Sequence, residues 1–222
     1  MTILAPIKRL ARAAGIESAR DLVRPWEEEP FASVFAAIRG TTLVGPRRCY
    51  VLAALARQAA AVPGALAEVG VYRGGTARLL AEVRPDRRLY LFDTFAGMPA
   101  TDALLDLHRA GDFADTSLAA VRGFVNAGNA DFRPGLFPAT AAGLEHERFA
   151  LVHVDCDIYA SVRACCEWFY PRLAAGAAMV FDDYAYRSCP GAKKAVDEFF
   201  AAKPEQPILA AEGQALVFRL PA

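Results

Sequence analysis

The sequence predicts an α/β protein: a mostly parallel sheet covered by helices on both faces and closed by an antiparallel strand. Three observations lead there. From residue 66 onward, short apolar runs alternate with helical stretches, the strand–helix–strand order of a parallel sheet. The runs are continuously apolar, as strands buried on both faces are. The last residues, "ILAA-EGQ-ALVFRL" (208–220), are two runs around a Gly-containing turn and read as a hairpin.

The elements follow in order. Residues 1–25, "MTILAPIKRLARAAGIESARDLVRP", lack an unbroken apolar core, so they read as an amphipathic helix rather than a signal peptide, although their Arg content also suits a transit peptide. A helix is expected over 46–61, with Pro46 at its start, and "VPG" (62–64) ends it. Next come a strand "LAEVGV" (66–71), a helix at 75–83 and a strand "RLYLFD" (88–93). A long polar stretch follows, in which "FADTS" (113–117) and "FRPGLFPAT" (132–140) read as non-periodic loops. The chain resumes with a strand "FALVHV" (149–154), a helix at 161–173, a strand "AAMVFD" (177–182) and a helix at 190–202. The division expected is a helical segment 1–64 and one compact α/β unit 65–222.

Composition narrows the partners. The chain has 222 residues, 55% of them apolar, with 25 Lys+Arg against 25 Asp+Glu. That size suits one domain with a full core. A formal net charge of 0 gives no reason to expect nucleic acid or an anionic membrane as partner. No apolar run is long enough to span a bilayer. The five cysteines include no C-x-x-C, so zinc or thioredoxin-like spacing is missing, and a reducing, cytoplasmic setting fits. Cys165, Cys166 and the aromatic-rich "CEWFYPRL" (166–173) read as core.

Ligands of such a sheet bind beyond the carboxyl ends of its strands, so the residues just after each run carry the chemistry. After the first run stands "EVGVYRGGTA" (68–77). Gly70 and Gly74 permit a tight turn that brings backbone N–H groups to a ligand. The dinucleotide spacing G-x-G-x-x-G is absent. Glu68 repels a pyrophosphate and attracts an ammonium, which favours S-adenosylmethionine as ligand; the bland alternative is a glycine turn beside a solvated acid. Asp93, about 20 residues after the turn, ends the second strand, where an acid accepts hydrogen bonds from ribose hydroxyls. Its alternative is a cap for "TFAGMP".

Two further runs end in acids: Asp155 and Asp157 in "HVDCDIYASV" (153–162), and Asp182 and Asp183 in "VFDDYAY" (180–186). Consecutive parallel strands usually neighbour each other, which brings Asp155 to Asp182 and Asp183. Carboxylates that close need a cation, and an all-oxygen set favours Mg²⁺, Ca²⁺ or Mn²⁺. Helix capping by Asp157, Ser161 or Asp183 is the alternative. His153, two residues before Asp155 on one strand face, reads first as packed and second as a support behind the acids. His108 and His146 carry no signal.

At these residues the chain resembles a known family, the macrocin-type (TylF-like) O-methyltransferases, which act on sugars of macrolide and aminocoumarin antibiotics. The resembling segments run in family order over roughly residues 41–200: "TTLVGPRRCYVLAALARQA", "VPGALAEVGVYRGGTARLL", "LYLFDTFAGMP", "GDFADTSL", "FALVHVDCDIY", "FYPRLAAGAAMVFDDY" and "PGAKKAVDEFF". The resemblance implies a Rossmann-like class I methyltransferase with a seven-stranded sheet and an N-terminal helical lid, placed here at residues 31–50. It implies S-adenosylmethionine as donor, a divalent metal, usually Mg²⁺, and a homodimer or higher homo-oligomer. Asp155, Asp182 and Asp183 match the metal positions. Glu68 and Asp93 match donor-binding positions, and Gly70, Gly74, Thr76 and Thr94 beside them are counted with the donor site. Two departures stand out: a single glycine, Gly176, before the last metal strand, expected to alter only a turn, and Cys156 between the two aspartates.

The expected reaction is methyl transfer to a hydroxyl of a sugar-like small molecule in natural product biosynthesis. A metal lowers the hydroxyl's pKa and orients it, and Asp155 or Asp157 takes the proton, Asp155 being favoured as the better fixed. The acceptor pocket is expected between the N-terminal helices and the loop around 102–117. Two other readings are weighed. A dinucleotide oxidoreductase is disfavoured by the missing glycine spacing and by Glu68. A catalytically inactive donor-binding scaffold is disfavoured by four retained carboxylates.

Overall fold

A computed structural model describes residues 23–221. The expected helix at the extreme N-terminus lies outside the described residues. Seven strands form one sheet in the order β3-β2-β1-β4-β5-β7-β6. They are β1 (Ala65–Val69), β2 (Leu89–Asp93), β3 (Ala130–Pro134), β4 (Phe149–Val154), β5 (Leu173–Phe181), β6 (Ile208–Leu209) and β7 (Ala215–Phe218). The first five are parallel; β7 pairs antiparallel with both β5 and β6. Strand order therefore reverses between β1 and β4, where a crevice opens at the carboxyl ends.

Six α-helices are described: α1 (Phe31–Ile38), α2 (Pro46–Gln58), α3 (Gly75–Val83), α4 (Leu118–Val125), α5 (Tyr159–Phe169) and α6 (Pro190–Phe200). Alternate strand residues serve opposite faces. Ala67, Val69, Val152 and Val154 pack with Val162, Cys165, Phe169 and Val196 of α5 and α6. Leu66, Leu89, Leu91, Leu151 and Val180 pack with Leu52, Leu55, Leu80 and Val121 of α2, α3 and α4. A smaller cluster of Phe31, Ile38, Cys49 and Leu79 fastens α1 to α2 and α3. Burying a side chain of the size of Leu or Phe is worth about 1.5–3 kcal/mol, so both faces hold the sheet and fix its crevice.

The structure corrects three expectations. The stretch between β2 and β4 is not all loop: it holds α4, capped by Ser117 Oγ on the Ala120 N–H at 3.3 Å, and β3. Strand β3 is an edge strand, "ADFRP", half-exposed along its length, so it carries no apolar run to read. The helix expected to run to 173 stops at Phe169, and β5 starts at Leu173, earlier than expected. Gly176 then lies inside β5 at φ 81, not in a turn. The pairing jumps there from Phe149↔Leu173 to Leu151↔Ala178, so the glycine belongs to a bulge.

Candidate active site

A cavity of about 320 Å³ lies at the carboxyl ends of β1, β2, β4 and β5. One side is the turn from β1 into α3. Gly70 sits at φ 90, and a Cβ there would overlap the Asp155 carbonyl, so only glycine lets β1 and β4 end this close. Gly74, at φ 85, is the N-cap of α3. Gly70, Thr76, buried in the first turn of α3, and Thr94, after β2, line the cavity, whereas Gly74 faces Val121 and Val125 of α4.

Asp93 lines the cavity too, but its oxygens already have work. Oδ2 accepts the N–H of Val71 at 2.7 Å and of Tyr72 at 2.9 Å, and Oδ1 accepts that of Phe95 at 2.6 Å. It clasps the glycine turn to the end of β2. Thr94 Oγ1 donates to the Gly97 carbonyl at 2.6 Å and accepts the Ala96 N–H at 3.2 Å.

Glu68 does not stand where the sequence argument put it. It is fully buried inside β1 and absent from the cavity wall. Its Oε1 lies 2.7 Å from His153 Nδ1, its cross-strand partner on β4. Oε2 has no partner. Strand alternation points Glu68 toward the α2 face, below the turn rather than into it. His153 is accordingly more than packed: its Nε2 faces Asp182 Oδ1 at 3.6 Å, which links Glu68 to the acid cluster.

The other side of the cavity is acidic. The Asp155 N–H donates to Val69 O and the Asp182 N–H to Val154 O, both at 2.9 Å, so the ladders run one residue past the strands and set the acids side by side. Asp155, Asp182 and Asp183 each present an oxygen within 4.8 Å of the others. The Asp157 N–H donates to Asp183 Oδ2 at 3.1 Å. Burial pushes the Asp155 carboxyl up to about 7, against an opposing pull from His153. Burial, reinforced by Asp155 and Asp157, drives Asp183 well above the usual carboxylate range. Burial also raises Asp157, with His108 pulling the other way. Asp155 and Asp183, both with raised proton affinity, and Asp182 beside them make an all-oxygen donor set that fits a hard divalent cation.

Four residues of this site escaped the sequence reading. Arg48 of α2 makes a buried ion pair with Asp182 Oδ2 and lies 4.8 Å from the centre of the Tyr186 ring. Gln214 Nε2 donates to Asp182 Oδ1 at 2.9 Å. His108 and Cys189 line the cavity opposite Asp157. Arg48 left a trace: with Leu52, Leu55 and Ala56 it falls on the buried stripe of α2, where a charge needs a partner. His108 sits in a loop, where no periodicity marks it. The N-terminal segment contributes Thr41, Thr42, Leu43 and Val44 as well, and the loop before α4 contributes His108 and Phe113.

Solved O-methyltransferases share this fold. The structure of the O-methyltransferase NovP superposes with a TM-score of 0.71 at 27% identity, covering 82% of this chain and 83% of that one. The calicheamicin methyltransferase CalS11 superposes at 0.67 with 19% identity, over 91% and 96% of the two chains, and supports the fold alone. The profile of the macrocin-O-methyltransferase (TylF) family matches residues 35–219, and the chain belongs to that family. Among named relatives, the mycinamicin III 3''-O-methyltransferase of Micromonospora griseorubida is 36% identical over 157 residues, 62% of this chain and 61% of that one. A tetracenomycin-series rhamnosyl 4'-O-methyltransferase of Streptomyces olivaceus is 36% identical over 145 residues, 58% of this chain. This alignment spans 56% of that relative's length.

Proposed function

We propose that the protein transfers a methyl group from S-adenosylmethionine to a hydroxyl on the sugar of a glycosylated natural product, aided by Mg²⁺ or a similar cation. The observation that carries this is the meeting, in one cavity, of the clasped glycine turn with the carboxylates of Asp155, Asp182 and Asp183. Those three would hold the cation, which when bound acts as a Lewis acid toward the acceptor hydroxyl.

The chain's own residues do the rest. The turn Gly70–Gly74, held by Asp93, presents its surface to the donor, with Thr76 and Thr94 on the same wall. Glu68 acts on the acid cluster, through His153 and Asp182, rather than by touching the donor. Asp157 takes the hydroxyl proton. It stands outside the three-carboxylate cluster, lines the cavity and has its backbone pinned to Asp183, so it is free for proton transfer where Asp155 is committed. S-adenosylmethionine, when bound at this turn, would supply the methyl group and leave as a neutral thioether. The acceptor enters between Leu43, Phe113 and Leu136, under a lid formed by residues 31–50.

The substrate class rests on the relatives' names and the family. The compartment we assign is the cytoplasm, in keeping with five unpaired cysteines. Among the described residues no helix is long and apolar enough to cross a membrane. A homodimer or higher homo-oligomer is the expected assembly, checked by light scattering. The test of function is methyl transfer to a panel of O-demethyl glycosides, with mycinamicin III included, in Mg²⁺ and in EDTA. Turnover that requires Mg²⁺ is expected. Full turnover in EDTA would remove the metal from the account.

A further inference from the structure

We propose that His108, Asp157 and Cys189 form a second metal site, selective for a thiophilic divalent ion such as Zn²⁺, whose occupancy inhibits the enzyme. The inhibition rests on the role given to Asp157 above; the site itself does not.

The spacing is the main argument. Cys189 Sγ lies 3.5 Å from Asp157 Oδ1 and 3.6 Å from His108 Nε2. His108 Nε2 lies 3.7 Å from Asp157 Oδ1. The Cys189 thiol donates to Asp157 Oδ1 and stands within sulfur hydrogen-bond reach of His108 Nε2, whereas the His108–Asp157 edge is wider than the about 2.7–3.2 Å of an imidazole–carboxylate hydrogen bond. Around a tetrahedral ion with Zn–S near 2.3 Å and Zn–N and Zn–O near 2.1 Å, ligand atoms stand roughly 3.3–3.6 Å apart. The observed edges match that triangle within a few tenths of an ångström.

The surroundings suit a metal as well. His108 Nδ1 faces Asp112 Oδ2 at 3.3 Å, and the same oxygen accepts the Arg109 N–H at 2.9 Å. A carboxylate behind the distal ring nitrogen is the arrangement that orients a metal-bound histidine. Cys189 is the N-cap residue of α6, an eleven-residue helix whose N-terminus favours a thiolate. Burial, with Asp183 and Asp157 nearby, keeps the free thiol protonated, so binding releases one proton to solvent. All three ligands line the cavity, which gives the ion an entry path and leaves a fourth position on the cavity side. The three come from separate segments, which is why no C-x-x-C or similar spacing announced them.

The two sites sort ions by chemistry. The oxygen trio suits Mg²⁺; a sulfur–nitrogen–oxygen set suits Zn²⁺. An ion on Asp157 occupies the oxygen that takes the acceptor's proton, so methyl transfer stops while Mg²⁺ stays bound.

The test uses the full chain saturated with Mg²⁺ and titrated with Co²⁺ as a visible stand-in for Zn²⁺. A thiolate-to-cobalt charge-transfer band that saturates at one Co²⁺ per chain, and is bleached by Zn²⁺, is expected. Cys189→Ser should abolish it, and Asp112→Asn, at a half-exposed position, should weaken Co²⁺ binding by about 10–100-fold. Absence of the band in the unmodified protein overturns the proposal, as does a band that survives Cys189→Ser. Mg²⁺ binding heats and far-UV circular dichroism verify that the variants fold; if Cys189→Ser does not, Asp112→Asn decides, and unchanged affinity there counts against the site. Zn²⁺ should inhibit methyl transfer at saturating Mg²⁺. A Co²⁺ band without Zn²⁺ inhibition keeps the site and overturns its inhibitory role, and with it the part given to Asp157.

Discussion

Arg48→Met is the substitution whose consequence the structure fixes most closely. Arg48 and Asp182 are paired with side-chain exposures of 9% and 1%. Removing one partner of a buried pair costs about 3–5 kcal/mol, because the remaining charge is stranded. The Gln214 bond to the other Asp182 oxygen survives, which favours the lower end, about 3 kcal/mol. For a chain of this size each kcal/mol moves Tm by about 2–4 °C. In EDTA the variant should therefore melt roughly 6–12 °C below the unmodified protein. Methionine keeps the stem's packing and removes the charge together with the guanidinium's bonds to Asp182 and the Leu43 carbonyl. Mg²⁺ brings Asp182 a replacement cation, so it should raise the variant's Tm by more than it raises that of the unmodified protein. Arg48→Lys should fall between the two. Thermal melts followed by circular dichroism read all of this. A drop in EDTA of less than about 2 °C would refute the buried pair as a structural element.

Other expectations follow the same logic. Glu205 is buried and receives Tyr170 Oη at 2.7 Å, Arg219 Nη1 at 2.6 Å and the Leu220 N–H at 3.1 Å. Burial alone would raise its carboxyl, but these donors outweigh it and hold the group at about 2. A depressed folded pKa gives stability that is present above the unfolded value and lost as pH falls from about 5 toward 2. Glu205→Gln should thus destabilise the protein by about 2–3 kcal/mol at pH 7 and flatten that acid limb, as read by urea melts at several pH values. Gly70→Ala, which would place a Cβ against the Asp155 carbonyl at a left-handed φ, should cost more than about 2 kcal/mol and weaken S-adenosylmethionine binding in calorimetry. Asp157→Asn should lower kcat by about 10²–10⁴-fold with little change in donor affinity; an unaltered kcat would remove Asp157 as the base.

The acids that matter were legible because strand ends are. Asp155, Asp182 and Asp183 follow apolar runs, and parallel pairing of consecutive strands was enough to bring them together. Helix α3 was equally plain, framed by its glycines and ended by Arg84. What stayed hidden depends on tertiary approach. Strand β3 reads as loop because an edge strand needs no apolar run. Glu68 lay on the expected strand, but its orientation turned on which face α2 covers, which no motif states. Arg48 was visible only as a charge on an apolar stripe, and His108 reaches Asp157 from a loop whose path periodicity does not encode.

The central claim is that Asp155, Asp182 and Asp183 hold a divalent cation beside the donor turn. Calorimetric titration of Mg²⁺ into metal-free protein tests it most directly. One Mg²⁺ per chain is predicted for the unmodified protein, with binding lost in Asp155→Ala and in Asp182→Ala. No measurable binding to the unmodified protein, or binding unchanged in either variant, would contradict it.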